Sequence, residues 1–155
     1  MICAFDLDGT LCSINIVELR MLEHVPDEKF RATLEDVYYR EAKPLLDARL
    51  FLSGTDEMYI VTSRPERLRY ITDAWVKHFY PQAKLFIVDQ PILGMTNDPD
   101  YIEQWCRKKV ELKAKALNDL KVDVYFDDDA EMMDEFRKLC PNVKIVQYGE
   151  RIKIQ

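Results

Sequence analysis

Met1-Ile2-Cys3-Ala4-Phe5-Asp6-Leu7-Asp8-Gly9-Thr10-Leu11 is the stretch whose reading decides the fold. Ile2 to Phe5 is a short apolar run that reads as a buried strand. It ends in two aspartates separated by one leucine. A strand repeats every two residues, so Asp6 and Asp8 would share a side if the extended backbone continued. Gly9 permits a sharp turn, or a close approach of the backbone to a ligand. Two carboxylates and a permissive turn at the carboxyl end of a strand suit a hard cation and a phosphate. The plainer reading is a strand followed by an ordinary Asp-Gly turn. Residues further along the chain weigh against it.

The strand-to-helix pattern repeats outward from this stretch. Asn15 and Glu18 have capping-box spacing, with Val17, Met21 and Val25 on one face of a first helix. Asp27 reads as the N-cap of a second, whose stripe is Phe30, Leu34, Val37 and Tyr38. Pro44 marks a third, with Leu45, Leu46, Leu50 and Phe51 apolar, ended by Ser53-Gly54-Thr55. Met58 to Val61 is the second strand and runs into Thr62-Ser63-Arg64-Pro65. Pro65 starts a helix that buries Leu68, Ile71, Trp75, Val76 and Phe79, and Pro81 closes it. Lys84 to Val88 is the third strand. Asp98-Pro99 opens a helix turning Ile102, Trp105 and Cys106 inward, which either continues to Leu120 or breaks near Lys108 to Val110. Val122 to Phe126 is the fourth strand and ends in Asp127-Asp128-Asp129. A helix with Met132, Met133, Phe136 and Leu139 follows, then a fifth strand from Val143 to Gln147. This alternation predicts one α/β domain over residues 1–155, three-layered and Rossmann-like, with a five-stranded, mainly parallel sheet. The two helices between about residues 12 and 43 read as a small cap insertion on that body.

A chain of 155 residues is long enough for one sizeable core. Its 48% hydrophobic and 32% charged residues fit a folded protein and exclude a disordered one. A net charge of −6 and a pI near 5.0 exclude a broad nucleic-acid-binding surface, while leaving room for a local basic patch around an anionic substrate. No apolar run approaches the roughly 18 residues that span a bilayer, so no membrane partner is expected. The first residues carry no basic region followed by a long apolar one, and a cytoplasmic location is expected. Cys3, Cys12, Cys106 and Cys140 are scattered without a C-x-x-C pair, which argues against a zinc site. Cys3 reads as a small buried hydrophobe, and Cys12, close to the acids, as a candidate reactive thiol.

Parallel α/β sheets bind ligands outside the carboxyl ends of their strands. Three of the five expected strands end in chemically useful residues: Asp6 and Asp8, Thr62 and Ser63, Asp127 and Asp128. The carboxylates suit Mg²⁺, with Asp6 and either Asp127 or Asp128 supplying side chains. A carboxylate whose charge is screened by metal can attack phosphorus. A second carboxylate nearby can carry a proton to the leaving oxygen. Thr62 would donate hydrogen bonds to phosphoryl oxygens, and a lysine would neutralise the remaining charge.

Phe5-Asp6-Leu7-Asp8-Gly9-Thr10-Leu11 resembles the first signature of the haloacid-dehalogenase (HAD) superfamily phosphatases. Ile60-Val61-Thr62-Ser63-Arg64-Pro65 resembles the second, and Tyr125-Phe126-Asp127-Asp128 the fourth, in the same order and at the same strand ends. The resemblance implies a HAD-like fold and Mg²⁺-dependent hydrolysis of phosphomonoesters through an aspartyl-phosphate on Asp6. It makes Asp8 the general acid and base, with its backbone carbonyl also offered to Mg²⁺. Thr62 becomes a phosphate-binding residue, with Ser63, Gly9 and Thr10 beside it. Asp128 is favoured as the direct metal ligand, Asp127 supporting it or sharing the role. The third signature is a lysine, and Lys108, Lys109, Lys113 and Lys115 are the candidates. Lys113 fits best, because Lys113-Ala114-Lys115-Ala116-Leu117 precedes the acid strand at the spacing of compact members; Lys109 is the runner-up.

A small cap is compatible with nucleotides, phosphopeptides or nucleic-acid ends as substrates. Thr62-Ser63-Arg64-Pro65 resembles the nucleotidases and polynucleotide-end phosphatases of the superfamily. Arg64 reads either as a contact to an anionic substrate or as a solvated residue at a helix start. His24 and His78 read as ordinary surface or packing residues. Tyr38, Tyr39, Trp75 and Trp105 read as core or lid packing rather than platforms for bases. The competing functions are phosphoryl transfer on the same scaffold, and a non-catalytic phosphate-binding regulatory module.

Overall fold

A computed structural model describes residues 1–45, 55, 57–90 and 96–148. The helix expected from Pro44 falls mainly on residues 46–54, outside the described residues. Five strands are present: β1 (Ile2–Phe5), β2 (Glu57–Thr62), β3 (Ala83–Ile87), β4 (Val124–Asp127) and β5 (Lys144–Gln147). They form one sheet in the order β3-β2-β1-β4-β5, and every pairing is parallel. The helices are α1 (Ile16–Glu23), α2 (Glu28–Arg40), α3 (Arg69–Phe79), α4 (Pro99–Asp119) and α5 (Met133–Leu139).

The first strand lies at the centre because it is apolar on both faces. Cys3 and Phe5 point to one side with Met58 and Ile60, and meet Trp75 and Val76 of α3. Ala4 and Val61 point to the other, with Tyr125, against Val110, Ala114 and Leu117 of α4 and Phe136 of α5. Alternation of side chains along the strands therefore feeds two cores and makes three layers. Phe126 stacks on Phe5 at 4.6 Å between ring centroids, tying β4 to β1. Register pairs Phe5 with both Ile60 and Phe126, so the carboxyl ends of β1, β2 and β4 lie side by side. The Asp6 N–H donates to the Phe126 carbonyl at 2.8 Å and carries the ladder one step further.

Helix α4 is unbroken from Pro99 to Asp119, which removes the alternative of a break near Lys108. Asp98 caps it by accepting from the Asp100 N–H. An inward face of Lys109, Val110, Lys113, Ala114 and Leu117 persists along its second half, and that continuity keeps it whole. No described helix is long and apolar enough to cross a membrane.

The two helices between β1 and β2 differ from expectation in phase. Asn15 caps α1, its Oδ1 accepting from the Val17 and Glu18 N–H groups at 3.0 and 3.2 Å. Its own N–H, which a capping-box Glu18 would take, donates instead to the Tyr38 hydroxyl at 2.8 Å. Asp27 caps α2 through the Phe30 N–H. Met21, Phe30 and Val37, expected to be inward, are exposed; Leu19, Glu35 and Tyr39 are buried instead, with Leu19 and Tyr39 packed against Leu68 and Ile71. Glu35 can occupy a core position because Arg67 pairs with it at 2.6 Å and Arg31 at 3.4 Å. An apolar count is blind to a charge buried by its partner. Phe79 and Leu139 are also exposed, each at the last turn of its helix.

Candidate active site

The loop after β1 folds tightly around one carbonyl. Leu7 O accepts from the N–H groups of Thr10, Leu11 and Cys12 at 3.2, 2.9 and 3.1 Å, while the Gly9 N–H donates to Cys12 O at 2.9 Å. The buried Leu7 side chain anchors the turn in the core, so the aspartates on either side of it are held rather than free. Gly9 has φ +86°, and a Cβ built on it would lie 2.3 Å from Asp128 Oδ2. A side chain is therefore excluded twice, by backbone conformation and by the Asp128 carboxylate. Thr10, fully buried, faces the same carboxylate, its Oγ1 donating to Asp128 Oδ1 at 3.4 Å. Gly9 and Thr10 thus stand around Asp128, with their backbone N–H groups used inside the loop.

Asp6, Asp127 and Asp128 are all buried, and each offers a carboxylate oxygen within 4.8 Å of the others. Lys113 reaches them from α4, its Nζ 2.6 Å from Asp6 Oδ1 and 3.6 Å from Asp127 Oδ2. Of the lysines considered from sequence, Lys108 and Lys115 pair with Glu111 and Asp119 at the surface. Lys109 is buried but pairs with Asp129 at 3.4 Å. Burial would strip the proton from Lys113, yet Asp6 and Asp127 more than reverse that and hold it protonated above the ordinary lysine range.

Asp128 lines the cavity, whereas Asp127 is buried and is not among the lining residues. Both Asp127 oxygens are engaged: Oδ2 accepts from the Tyr125 hydroxyl at 2.5 Å, and Oδ1 from the Asp129 N–H at 2.9 Å. Burial opposes ionisation of Asp127, but Lys113, the Tyr125 hydroxyl and Lys109 hold its carboxyl below the ordinary range. Burial, then Asp127, and Asp128 after them, raise Asp6 well above that range, with Lys113 opposing. Three facing carboxylates against the Lys113 ammonium leave an excess of negative charge that a dry site does not hold comfortably. A divalent cation with a preference for oxygen ligands has the charge and the chemistry to relieve it, so the donor set fits Mg²⁺.

Asp8 is not one of these three carboxylates and pairs instead with Arg64. Its carboxylate accepts from Arg64, Nε at 2.9 Å from Oδ2 and Nη2 at 2.5 Å from Oδ1. The remaining Arg64 nitrogen donates to Thr72 Oγ1 at 3.1 Å, and the guanidinium lies 4.2 Å over the Tyr39 ring. Arg64 is 4% exposed, so the reading as a solvated residue at a helix start is corrected: its partners lie inside the protein. Arg64 also lines the cavity, with its Nε and Nη2 engaged by Asp8. Pro65 precedes a 3-10 turn, Glu66–Leu68, before α3 begins, rather than starting the α-helix itself. Cys12 is buried, and burial with the nearby Asp8 pushes its thiol up to about 12, which removes it as a reactive thiol.

Thr62 is buried at the end of β2, its Oγ1 accepting from the Arg64 N–H at 3.2 Å; Ser63 follows it in the cavity wall. The cavity has a volume of about 280 Å³. Asp6, Asp8, Thr62, Lys113 and Asp128 form its floor, and Leu19 of α1 and Trp105 of α4 stand in its walls. Tyr125 escaped the sequence reading although it shares the Asp127 face of β4 by strand period, a signal that was available. Thr72, Tyr39 and Gln90 carried no such signal.

No protein-family model matches the chain, and no curated protein matches its sequence. Solved structures do. A chain in the structure of the Pnkp1/Rnl/Hen1 RNA repair complex matches with a TM-score of 0.56 and 17% identity, over 95% of this chain and 42% of that one. A second Pnkp1/Rnl/Hen1 structure matches with a TM-score of 0.52 and 19% identity, over 96% and 46%. The HAD domain of effector protein Lem4 from Legionella pneumophila gives a TM-score of 0.48 and 11% identity, over 97% and 85%. This chain thus spans less than half the length of the first two. The likeness is one of fold alone: an α/β fold on a parallel sheet, which here carries an acidic centre at the carboxyl edge of that sheet.

Proposed function

We propose that the chain is a Mg²⁺-dependent phosphomonoester hydrolase working through an aspartyl-phosphate on Asp6, with nucleotides or nucleic-acid ends as substrates. The observation carrying this reading is the meeting of Asp6, Asp127 and Asp128 with Lys113 at the end of the central strands. In this reading the residues from about 12 to 43 form a small cap on a single domain. The RNA repair setting of two structures that share the fold is compatible with nucleic-acid ends.

Mg²⁺, held by the side chains of Asp6 and Asp128 and the Asp8 carbonyl, with Asp127 in support, would screen the carboxylates so that an anionic nucleophile can approach an anionic phosphate. Asp6 attacks phosphorus, and the alcohol of the substrate leaves. Lys113, already 2.6 Å from Asp6, offsets charge on the phosphoryl oxygens. Thr62 and Ser63 donate hydrogen bonds to those oxygens, and the Gly9-Thr10 turn keeps the pocket in shape around them. Asp8 delivers a proton to the leaving oxygen and then takes one from the water that hydrolyses the aspartyl-phosphate. Arg64 aims the Asp8 carboxylate.

The test is phosphate release from p-nitrophenyl phosphate. Activity should disappear with EDTA, return with Mg²⁺, and be absent in Asp6→Asn. Full activity in Asp6→Asn, or indifference to EDTA, would refute the mechanism.

A further inference from the structure

Trp105, Lys109 and Lys113 stand at i, i+4 and i+8 on α4, so they share one helix face, and all three line the cavity. Each step of four residues advances about 6 Å along the helix. Lys113 marks the inner end, against Asp6. One step outward, Lys109 is buried as well, with its Nζ 3.4 Å from Asp129 Oδ2 and 5.6 Å from the centre of the Trp105 ring. Lys109 pairs with Asp129 and supports the charge of Asp127, and it lines the same cavity as Lys113. Beside the outer end, Gln90 donates from Nε2 to the Trp105 carbonyl at 2.9 Å. Gln90 is 2% exposed, and its Oε1 is buried with no hydrogen-bond partner among the described residues. Ile14 and Leu19 also line the cavity, beside Arg20 and Glu23.

Resting on the hydrolase reading, we infer that this face of α4 is a substrate track for a nucleoside carrying two phosphoryl groups. Lys113 takes the group to be removed, Lys109 the second phosphate one helical step away, and Trp105 with Gln90 the base. An ammonium suits a phosphate as a point charge. An indole offers a flat apolar face to a base, and an unsatisfied amide gains by accepting from a base N–H. Lys109 and Lys113 bring two ammonium groups to the cavity of a chain whose net charge is −6.

The ligand chemistry has two sources, a free nucleoside bisphosphate and the phosphorylated end of a strand. The experiment compares kcat/KM, with Mg²⁺, for adenosine 3′-monophosphate, adenosine 3′,5′-bisphosphate and a dinucleotide ending in a 3′-phosphate. The two-phosphate substrates should exceed the monophosphate by about tenfold or more. Lys109→Gln should bring the ratio close to one, and Lys109→Arg should retain it. Trp105→Ala should weaken the adenosine substrates relative to ribose 5-phosphate. A dinucleotide that outruns the bisphosphate identifies a strand end as the source, and equal rates identify the free nucleotide; either supports the track. A wild-type ratio near one, or an unchanged ratio in Lys109→Gln, overturns it while leaving the hydrolase intact. Calorimetry with Asp6→Asn protein separates the two readings. If no substrate is hydrolysed, yet bisphosphate binding is tighter than monophosphate binding and loses that advantage in Lys109→Gln, the hydrolase reading falls and the track stands.

Discussion

Replacing Gly9 with alanine tests the geometry of the acidic centre directly. The added Cβ would lie 2.3 Å from Asp128 Oδ2 and 2.8 Å from its Cγ. A comfortable carbon-to-oxygen contact is about 3.3 Å, so the Asp128 carboxylate must retreat by about 1 Å. The backbone at φ +86° adds about 1–2 kcal/mol of strain. A stiffer unfolded chain returns about 0.4–1 kcal/mol of that. The net loss of stability is therefore about 1 kcal/mol, or about 2–4 °C in Tm for a domain of this size. Under the proposed function catalysis should suffer far more, because a displacement of about 1 Å in a carboxylate that holds the metal would cost about a hundredfold in rate. Thermal unfolding and steady-state hydrolysis of one phosphomonoester at saturating Mg²⁺, on the same preparation, separate the two effects. The expected result is a fold that melts a few degrees early and a kcat about two orders of magnitude down. A folded Gly9→Ala protein with kcat within about threefold of the wild type would refute the reasoning, because Asp128 could then move without consequence.

Three further outcomes follow from the ion pairs. Lys113→Met leaves buried carboxylates unpaired and should cost about 3–5 kcal/mol near neutral pH. Asp6 is already raised above its ordinary 3.8 and rises further without the ammonium, so the deficit should grow as pH climbs beyond the wild-type group's raised range and level off below it; a pH-independent deficit in urea unfolding counts against this account. Arg64→Lys keeps a charge but loses the fork that grips Asp8, so kcat should drop by about tenfold or more with KM within about twofold. A rise in KM at constant kcat would mark Arg64 as a substrate contact instead. Burial pushes Glu23 of α1 up to about 7, against the pull of Arg67. Its folded form keeps a proton that the unfolded chain releases above 4.5, so stability falls as pH rises from 4.5 to 7. Glu23→Gln removes that penalty and should be more stable than the wild type above pH 7, with no advantage below 4.5; equal unfolding midpoints at both ends exclude the mechanism.

The sheet was readable because its information is short-range. Cys3, Ala4 and Phe5 are apolar in succession, and such a run suits a strand covered on both faces, which is where β1 lies. The ends of β1, β2 and β4 were likewise legible, because a change from apolar to acidic or hydroxylic residues marks the strand's exit from the core. The helices between β1 and β2 were harder. They touch the body through few positions, so Phe30 and Val37 could stay outside while Glu35 went in beside Arg67. Periodicity measures what a helix offers, and here the partner decided what was taken.

From sequence alone came the two aspartates at the end of the first strand, the threonine after the second and the paired acids after the fourth, each set by its neighbours in the chain. Tertiary structure decided which of four lysines meets Asp6, a contact across 107 residues that depends on how α4 seats against the sheet. It also paired Arg64 with Asp8, brought the Tyr125 hydroxyl to Asp127, and left the Gln90 amide oxygen buried, its amide nitrogen bonded to the Trp105 carbonyl. The division is physical. Backbone conformation is chosen locally by sterics and apolar spacing, whereas the direction and charge state of a buried polar side chain depend on groups that only folding brings within a few ångströms.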